Sequence, residues 1–531
     1  MEKRTQKKKA AAIVMTAFLA AGVMTGCGGA AGSQGEEGLR RQVEETEYNG
    51  KKELLDQLQG KEEIDSMQGE SETMEISSAE LLEEFKNRVN GGEWGLNAVL
   101  TADIDLSSLC GEGVGSWTPI APMDSGQTYN GIFDGGGHEI KGLYMEDKEY
   151  KETAFIVRLG TAGVVRNVSI TESTVKGSAE TAGLVYESCG VLENCSSSAE
   201  VTGREAAGLV FYVTDGGIVT GCRNTGSVTG ETRAAGVIAR GYDAVISDCG
   251  NEGSVMADGE KGEAAGVVSM VSDSTIDNCW NSGGIHAKDT AGGVAGSLEN
   301  SEKGSVMTGC YNTGSVTGES RAGGVGGSAS SSVIDRCYNT GAVDGKILAA
   351  GVTAAGGDAA ERSVVANCYN RGAVSSENFA SGVSIGQNCA VVNCFNLGGI
   401  LSQNAGIGGS GGVSSTGVRG GDGILWIANC YSAGALSEKA GGVTYQRESV
   451  ELESVYYQND TAAGYFFNRK DDAQDSTYAA AKDQFSGQVL EDLNAYADSF
   501  SGMPDNCVNV KEITLEKWIS GTDGYPVFEL E

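Results

Sequence analysis

The chain has 531 residues, with 38 basic against 72 acidic side chains and a formal charge of −34 at pH 7. A surface this acidic repels phosphate backbones and anionic lipid headgroups, which argues against nucleic acid as a partner. Glycine fills 81 positions and proline only 4, and all four prolines (Pro119, Pro122, Pro504, Pro526) lie outside the repetitive stretch 163–457, as suits strands whose every N–H must join a ladder.

The chain opens with Lys3, Arg4, Lys7, Lys8 and Lys9, an apolar run from Ala10 to Val23, and then Met24-Thr25-Gly26-Cys27. A charged start, a short apolar segment and a small-residue cleavage site read as a signal peptide over residues 1–26. The apolar run is too short to span a bilayer, and no later segment is longer. The cysteine behind Thr25 and Gly26 resembles the bacterial lipoprotein signal, although Met24 stands where that family usually has leucine. The resemblance implies lipidation of Cys27 and a mature chain that is extracytoplasmic, held to the cell membrane through that lipid, and surface exposed. Residues 27–75, polar and opening on Gly28-Gly29, read as a flexible tether.

Residues 76–162 read as an N-terminal cap with the first coils. Ser77-Ser-Ala-Glu80 has capping-box spacing, and Leu81, Leu82, Phe85 and Val89 make one apolar stripe on a short helix. From 163 to 457 the chain repeats. Nine cysteines (Cys195, Cys222, Cys249, Cys279, Cys310, Cys337, Cys368, Cys394 and Cys430) recur at intervals of 27, 27, 30, 31, 27, 31, 26 and 36 residues. A glycine in A-G-L/V or G-G-V keeps the same phase from Gly183 through Gly236 and Gly324 to Gly442. Such periods mark solenoids. Within a unit apolar and polar residues alternate, as in Ser332-Val-Ile-Asp-Arg-Cys337, and Asn-x-Gly punctuates the bend, where both residues tolerate left-handed angles. One unit buries little by itself, so units must stack. Stacking places like over like, which predicts a ladder of Asn224, Asn251, Asn281, Asn312, Asn339, Asn370 and Asn396 bonded amide to amide. Residues 458–531 read as a C-terminal cap, helical from about Tyr478 to Ala497 with Val489, Leu490 and Leu493 on its apolar face.

Units such as Cys310-Tyr-Asn-Thr-Gly-Ser-Val-Thr-Gly followed by Ala322-Gly-Gly-Val resemble the GLUG repeat of bacterial surface proteins. Ala102-Asp-Ile-Asp-Leu, Trp117-Thr-Pro-Ile, the run Gly131 to Leu143 and the closing Asp523-Gly-Tyr-Pro-Val-Phe528 resemble the usual flanks of such arrays. The likeness covers residues 76–457 and implies an adhesin-like architecture rather than an activity. The fold expected is all-β, a parallel β-helix of about 11 coils with short helical caps at both ends.

Fourteen cysteines in an exported chain first point to disulfides. The nine repeat cysteines cannot all pair among themselves, and the equivalent sites at the two ends hold Val168 and Val455, which marks an apolar interior position. Buried free thiols are the expectation, with Cys189–Cys195 or Cys389–Cys394 disulfides as the alternative. Only two histidines occur, His138 in a Gly-rich turn and His286 on a repeat strand, and there is no C-x-x-C or H-E-x-x-H, so neither a catalytic residue nor a metal or cofactor is expected. The remaining enzymatic reading is a polysaccharide-cleaving β-helix using Asp103, Asp105 and Asp134. The Gly-rich runs Gly406 to Gly412 and Gly420 to Gly423 read as an inserted surface loop.

After the ladder cysteine stand Trp280, Tyr311, Tyr338, Tyr369, Phe395 and Tyr431. With cysteine inward, alternation sends these rings outward as a stripe. It is the candidate ligand-binding surface, for an extracellular glycan or a host or bacterial surface protein. Its alternative is a self-stacking ladder covered by a neighbouring loop. The functional expectation is a non-catalytic adhesion or binding module, with a structural display stalk as the second reading.

Overall fold

The computed structural model describes residues 72–147, 152–299, 304–354, 362–386, 388–403, 410–416, 424–437, 440–444, 450–460, 477–504, 507 and 513–529. The signal peptide, Cys27, nearly all of the tether and most of the Gly-rich loop lie outside them. Gly411 and Gly412 do not belong to a loop: Ser410–Gly411 is a strand of the solenoid, and Gly412 holds the repeat's glycine position.

The fold is a parallel β-helix. One coil shows the pattern: Val333–Asp335, Tyr338–Asn339, Val343–Gly345 and Leu348–Ala350 each pair in parallel with their equivalents in the coils before and after. Among the described residues two faces carry 14 strands each, one from Thr73–Ile76 to Val450–Glu453, the other from Ile104–Asp105 to Thr477–Ala480. The stack therefore begins before the N-terminal helix and takes its last strand from the C-terminal segment, beyond both ends of the repetitive stretch.

Successive residues on the second face divide the coil into inside and outside. Cysteine points in, the aromatic points out, and asparagine points in again. All nine ladder cysteines are buried and free, with Val168 and Val455 in register at the two ends, both fully buried. Burial pushes the thiols of Cys195, Cys310, Cys368 and Cys430 well above the ordinary range, so they stay protonated and unreactive. The alternative disulfides do not form: Cys189, Cys389 and Cys394 are also free.

Two residues further on lies the amide ladder. Asn312 Nδ2 donates to Asn339 Oδ1 at 2.8 Å and to Gly314 O at 2.8 Å, while Asn312 Oδ1 accepts from Asn281 Nδ2 at 2.7 Å. The same bonds run from Asn224 to Asn396 and end on Ser432. Two columns of glycine grip this ladder. A methyl group on Gly236 would come within 2.4 Å of Asn251 Oδ1, and one on Gly253 within 2.8 Å of Asn224 Nδ2 and 1.9 Å of Gly226 O. The glycine of Asn-x-Gly is thus present for space. The left-handed angle sits elsewhere, on the residue before each ladder position: from Asn167 through Asp248, Asn278, Arg336 and Asn393 to Ser454, φ lies between +49° and +64°. That residue turns the chain from the first face to the second.

Helix α1 (Ala79–Asn90) closes one end with Leu82, Phe85 and Val89 buried. Its N-cap is Ser78, which accepts from Leu81 N, one residue later than the capping-box spacing implied. At the other end Thr477–Ala480 is a strand paired with Val455–Gln458, so helix begins only at Lys482 and reaches α2 (Leu490–Ser499) through a π turn at Phe485–Val489. Tyr478 belongs to the stack because its ring lies 5.3 Å from that of Tyr456.

Replacing Asn312 by Ala would take one hydrogen-bond partner from each of the buried groups Asn281 Nδ2, Asn339 Oδ1, Gly314 O and Gly314 N and is expected to cost about 3 kcal/mol in urea denaturation. Cys310→Val, whose side chain the ladder already accepts at its ends, is expected to cost less than ~1.5 kcal/mol.

Candidate functional site

The six aromatic residues form a continuous column. Ring centroids are separated by 6.4 Å from Trp280 to Tyr311, then 5.0, 4.8, 4.8 and 5.3 Å down to Tyr431, with interplanar angles of 14° at the first step and 1–3° thereafter. Strand spacing imposes this separation. Each of the inner rings, Tyr311, Tyr338, Tyr369 and Phe395, therefore has a ring against both faces. Upstream, the indole of Trp280 lies over the backbone of Gly250, where a methyl group would come within 2.3 Å of it. The Arg223 guanidinium stands 5.8 Å from the same ring and pairs with Glu252. The column exposes ring edges and not faces, so flat aromatic area for a sugar ring is not on offer.

Its C-terminal half is also covered. Tyr369 is 9% exposed and Phe395 and Tyr431 are fully buried, beneath Phe485, Trp518 and Phe528. Phe528 lies 5.5 Å from Phe395, Trp518 5.8 Å from Tyr431, and Phe485 5.4 Å from Tyr431, all tilted near 55°. Tyr431 donates its hydroxyl to Pro526 O. Of the expected stripe, Tyr369, Phe395 and Tyr431 belong to the interior, and Trp280, Tyr311 and Tyr338 remain half-buried at the surface. The covering residues lie 54 to 159 positions away in sequence, from Phe485 on Tyr431 to Phe528 on Tyr369, so local alternation gives no sign of them.

The segment is held by a second amide ladder, formed by the left-handed residues before the cysteines. Asn393 Nδ2 donates to Asn367 Oδ1 and Asn429 Nδ2 to Asn393 Oδ1, both at 2.7 Å. The strap reads these amides directly. Asn367 donates to Thr514 O and accepts from Glu516 N at 2.9 Å, Asn393 donates to Glu516 O, and Trp518 Nε1 donates to Asn393 Oδ1 at 2.7 Å. Arg336 pairs with Glu516 at 2.7 Å and Arg371 with Asp523 at 3.4 Å. What reads as an end cap in sequence is thus also a strap along the flank of several coils. Asp335, which accepts from Asn367 at 2.7 Å, is pushed up to about 6 by its burial under this strap.

A second cluster, missed in the sequence, fills an outer corner of the earlier coils. Glu205, nearly buried, pairs with Arg233 at 3.0 Å, Arg240 at 2.5 Å and Arg204 at 3.2 Å, and Arg233 reaches Glu263 at 3.0 Å. Burial pushes the Glu263 carboxyl up, whereas at Glu205 the arginines overcome burial and hold it below the usual range. Tyr186 stacks on Phe211 at 5.4 Å beside this network and donates to Glu180 at 2.5 Å. The signal was available: Glu180, Glu205, Arg233 and Glu263 all stand three residues before the repeat glycine, and Tyr212 and Arg240 four after it. Paired in this way, the cluster can bind one corner together.

The carboxylates of the enzymatic reading are engaged by the turns that hold them. Asp103 accepts from Glu139 N at 3.2 Å and lies 3.1 Å from His138 Nδ1. Asp105 accepts from Ser107 N, and Asp134 from Gly136 N, Asn167 Nδ2 and Arg166 Nε. His286 is half-buried on strand Ile285–Ala287. Among the described residues, no three or more His, Cys, Asp or Glu side chains are placed to hold a metal ion.

Comparison with known proteins gives partial likenesses. No family model matches the chain. It is 32% identical over 121 residues to "Halomucin" of Haloquadratum walsbyi, and 31% over 124 residues to a "Putative Gly-rich membrane protein" of Evansella cellulosilytica. The matched stretches are 22% and 23% of this chain but only 1% and 14% of those proteins. A crystal structure titled as that of "a putative immunoglobulin A1 protease from Bacteroides ovatus" aligns over 86% of this chain and 92% of its own, at 15% identity and a TM-score of 0.21.

Because the folded pKa of Asp335 lies above the value near 4 of an unfolded aspartate, its contribution to stability is full below pH 4 and lost as the pH rises through 6. Asp335→Asn is therefore expected to stabilise the protein by about 2 kcal/mol at pH 7.5 and to leave it unchanged at pH 4. Urea denaturation at the two pH values checks this.

Proposed function

We propose that this protein is a GLUG-type bacterial surface lipoprotein, a non-catalytic β-helix that binds an extracellular partner. The observation that carries the reading is the division of the aromatic column. Three rungs are sealed under the strap, while Trp280, Tyr311 and Tyr338, on the same scaffold and in the same register, are left half-exposed. A rigid row of large apolar groups at a surface is the usual core of a contact site. The lipoprotein-like sequence at Cys27 supports anchoring to the membrane, and the names of the two partial relatives, a halomucin and a Gly-rich membrane protein, agree with an extracytoplasmic place. Strong acidity argues against nucleic acid. The occupation of Asp103, Asp105 and Asp134 by structural bonds supports a non-catalytic role over polysaccharide cleavage.

A structural display stalk is the second reading, favoured by the mutual stacking of the rings, which stabilises the coils whether or not anything binds. The two separate in a binding screen of the full chain against bacterial and host surface proteins and a glycan array. With Trp280→Ala/Tyr311→Ala, a binding module is expected to lose its hits at least ~10-fold with only a small change in melting temperature. Unchanged hits with a markedly lower melting temperature would leave the stalk.

A further inference from the structure

We propose that the open end of the aromatic column, Trp280, Tyr311 and Tyr338, is a docking ridge for an extended polypeptide of a partner protein that carries aromatic side chains. This rests on the binding-module reading and specifies its ligand. The choice of ligand follows from which part of each ring is available. A pyranose packs on an aromatic face, and here every face is taken by the neighbouring ring or, at Trp280, by the Gly250 backbone and Arg223. Ring edges carry the positive side of the aromatic quadrupole and attract the faces of other rings in tilted or edge-to-face contact.

The closed end shows that geometry in use. Phe528 spans two rungs, 6.4 Å from Tyr369 and 5.5 Å from Phe395, at 54° and 56°. Trp518 spans the next two, 5.9 Å from Phe395 and 5.8 Å from Tyr431, at 56° and 55°. An incoming ring thus settles across a pair of edges. The pairs Trp280–Tyr311 and Tyr311–Tyr338 continue the same column, and Tyr338 already touches the margin of the sealed cluster.

The polar half of the contact also has a counterpart. The strap's main chain is held by the amides that precede the cysteines, at Asn367 and Asn393. Beside the open rings that column holds Asn278, Gly309 and Arg336, of which Asn278 is exposed with the same left-handed backbone as Asn367. The Asn278 amide donates to Asp277 Oδ2 at 3.2 Å in an exposed contact, which a segment resembling the strap would share or displace. The half-exposed ridge therefore continues an interface the molecule already makes with itself.

The test uses the full chain and a fluorescein-labelled peptide of the strap sequence, residues 513–528, followed by anisotropy. The expected result is saturable binding that weakens at least ~10-fold when Trp518, Tyr525 and Phe528 of the peptide become Leu, and equally when the protein carries Trp280→Ala/Tyr311→Ala. Thr313→Lys, an exposed position two residues beyond Tyr311, leaves the rings in place and sets a charge beside them. It is expected to produce the same loss, which guards against a folding defect in the double variant. Peptide binding indifferent to all of these protein variants would overturn the proposal, since the probe would then be exchanging with the strap at the closed end. Binding of chitohexaose or cellohexaose that depends on Trp280 and Tyr311 would also overturn it while leaving the binding-module reading standing. If neither peptide nor sugar binds, the proposal falls, and the surface-partner screen decides the broader reading separately.

Discussion

Stacking coil on coil in register makes every side chain its own neighbour, so a residue enclosed by this solenoid must tolerate a copy of itself above and below at strand spacing. Few side chains do. A charge would face its own sign in a low-dielectric interior. Cysteine and valine satisfy the demand by being small and apolar. Asparagine satisfies it because its amide donates on one side and accepts on the other, so a column of identical groups bonds head to tail. The Asn224–Asn396 ladder is the clearest product of this constraint, and much of the coil is arranged around it. Both glycine columns exist to let backbone approach it, as the close contacts at Gly236 and Gly253 show.

The same repetition acts outside with different consequences. Aromatic residues stack on themselves, and in doing so they use up the faces that would make them a sugar platform. Charged residues bind coils together on the outside where the column changes sign, as it does from Glu205 to Arg233 to Glu263, while Glu180, which stands beside Glu205, is engaged by Tyr186 and Arg204. The C-terminal strap then exploits what repetition leaves exposed, reading Asn367 and Asn393 with its main chain and the rings with Trp518 and Phe528.

The architecture, the inward cysteines and the amide ladder were legible because each is a statement about period, and period survives in sequence. The wrong details were of another kind. Asn-x-Gly suggests a left-handed corner, but the angle falls on the residue before each cysteine, mostly Asn, Asp or Gly, a pattern that Arg336 and Ser454 obscure. The helix proposed from Tyr478 ignored that a tyrosine beyond Tyr456 could extend the stack. Only half of the aromatic column is surface, because the strap docks on it through contacts between residues 54 to 180 positions apart, from Tyr431 with Phe485 to Arg336 with Glu516. No local pattern encodes that. The corner cluster was missed since its members fall at fixed offsets from the glycine and not from the cysteine.

The strap has one further consequence, for mechanics. Each unstrapped coil is held mainly by its two neighbours, so under tension such coils would peel away one at a time. From the coil of Arg336 to that of Tyr456, a single covalent segment is fastened crosswise to several coils at once through Glu516, Trp518 and the rings of the C-terminal cluster. Those coils must yield together. The rod therefore has a compliant section and a stiff one, and the exposed rings Trp280 to Tyr338 lie at the seam between them.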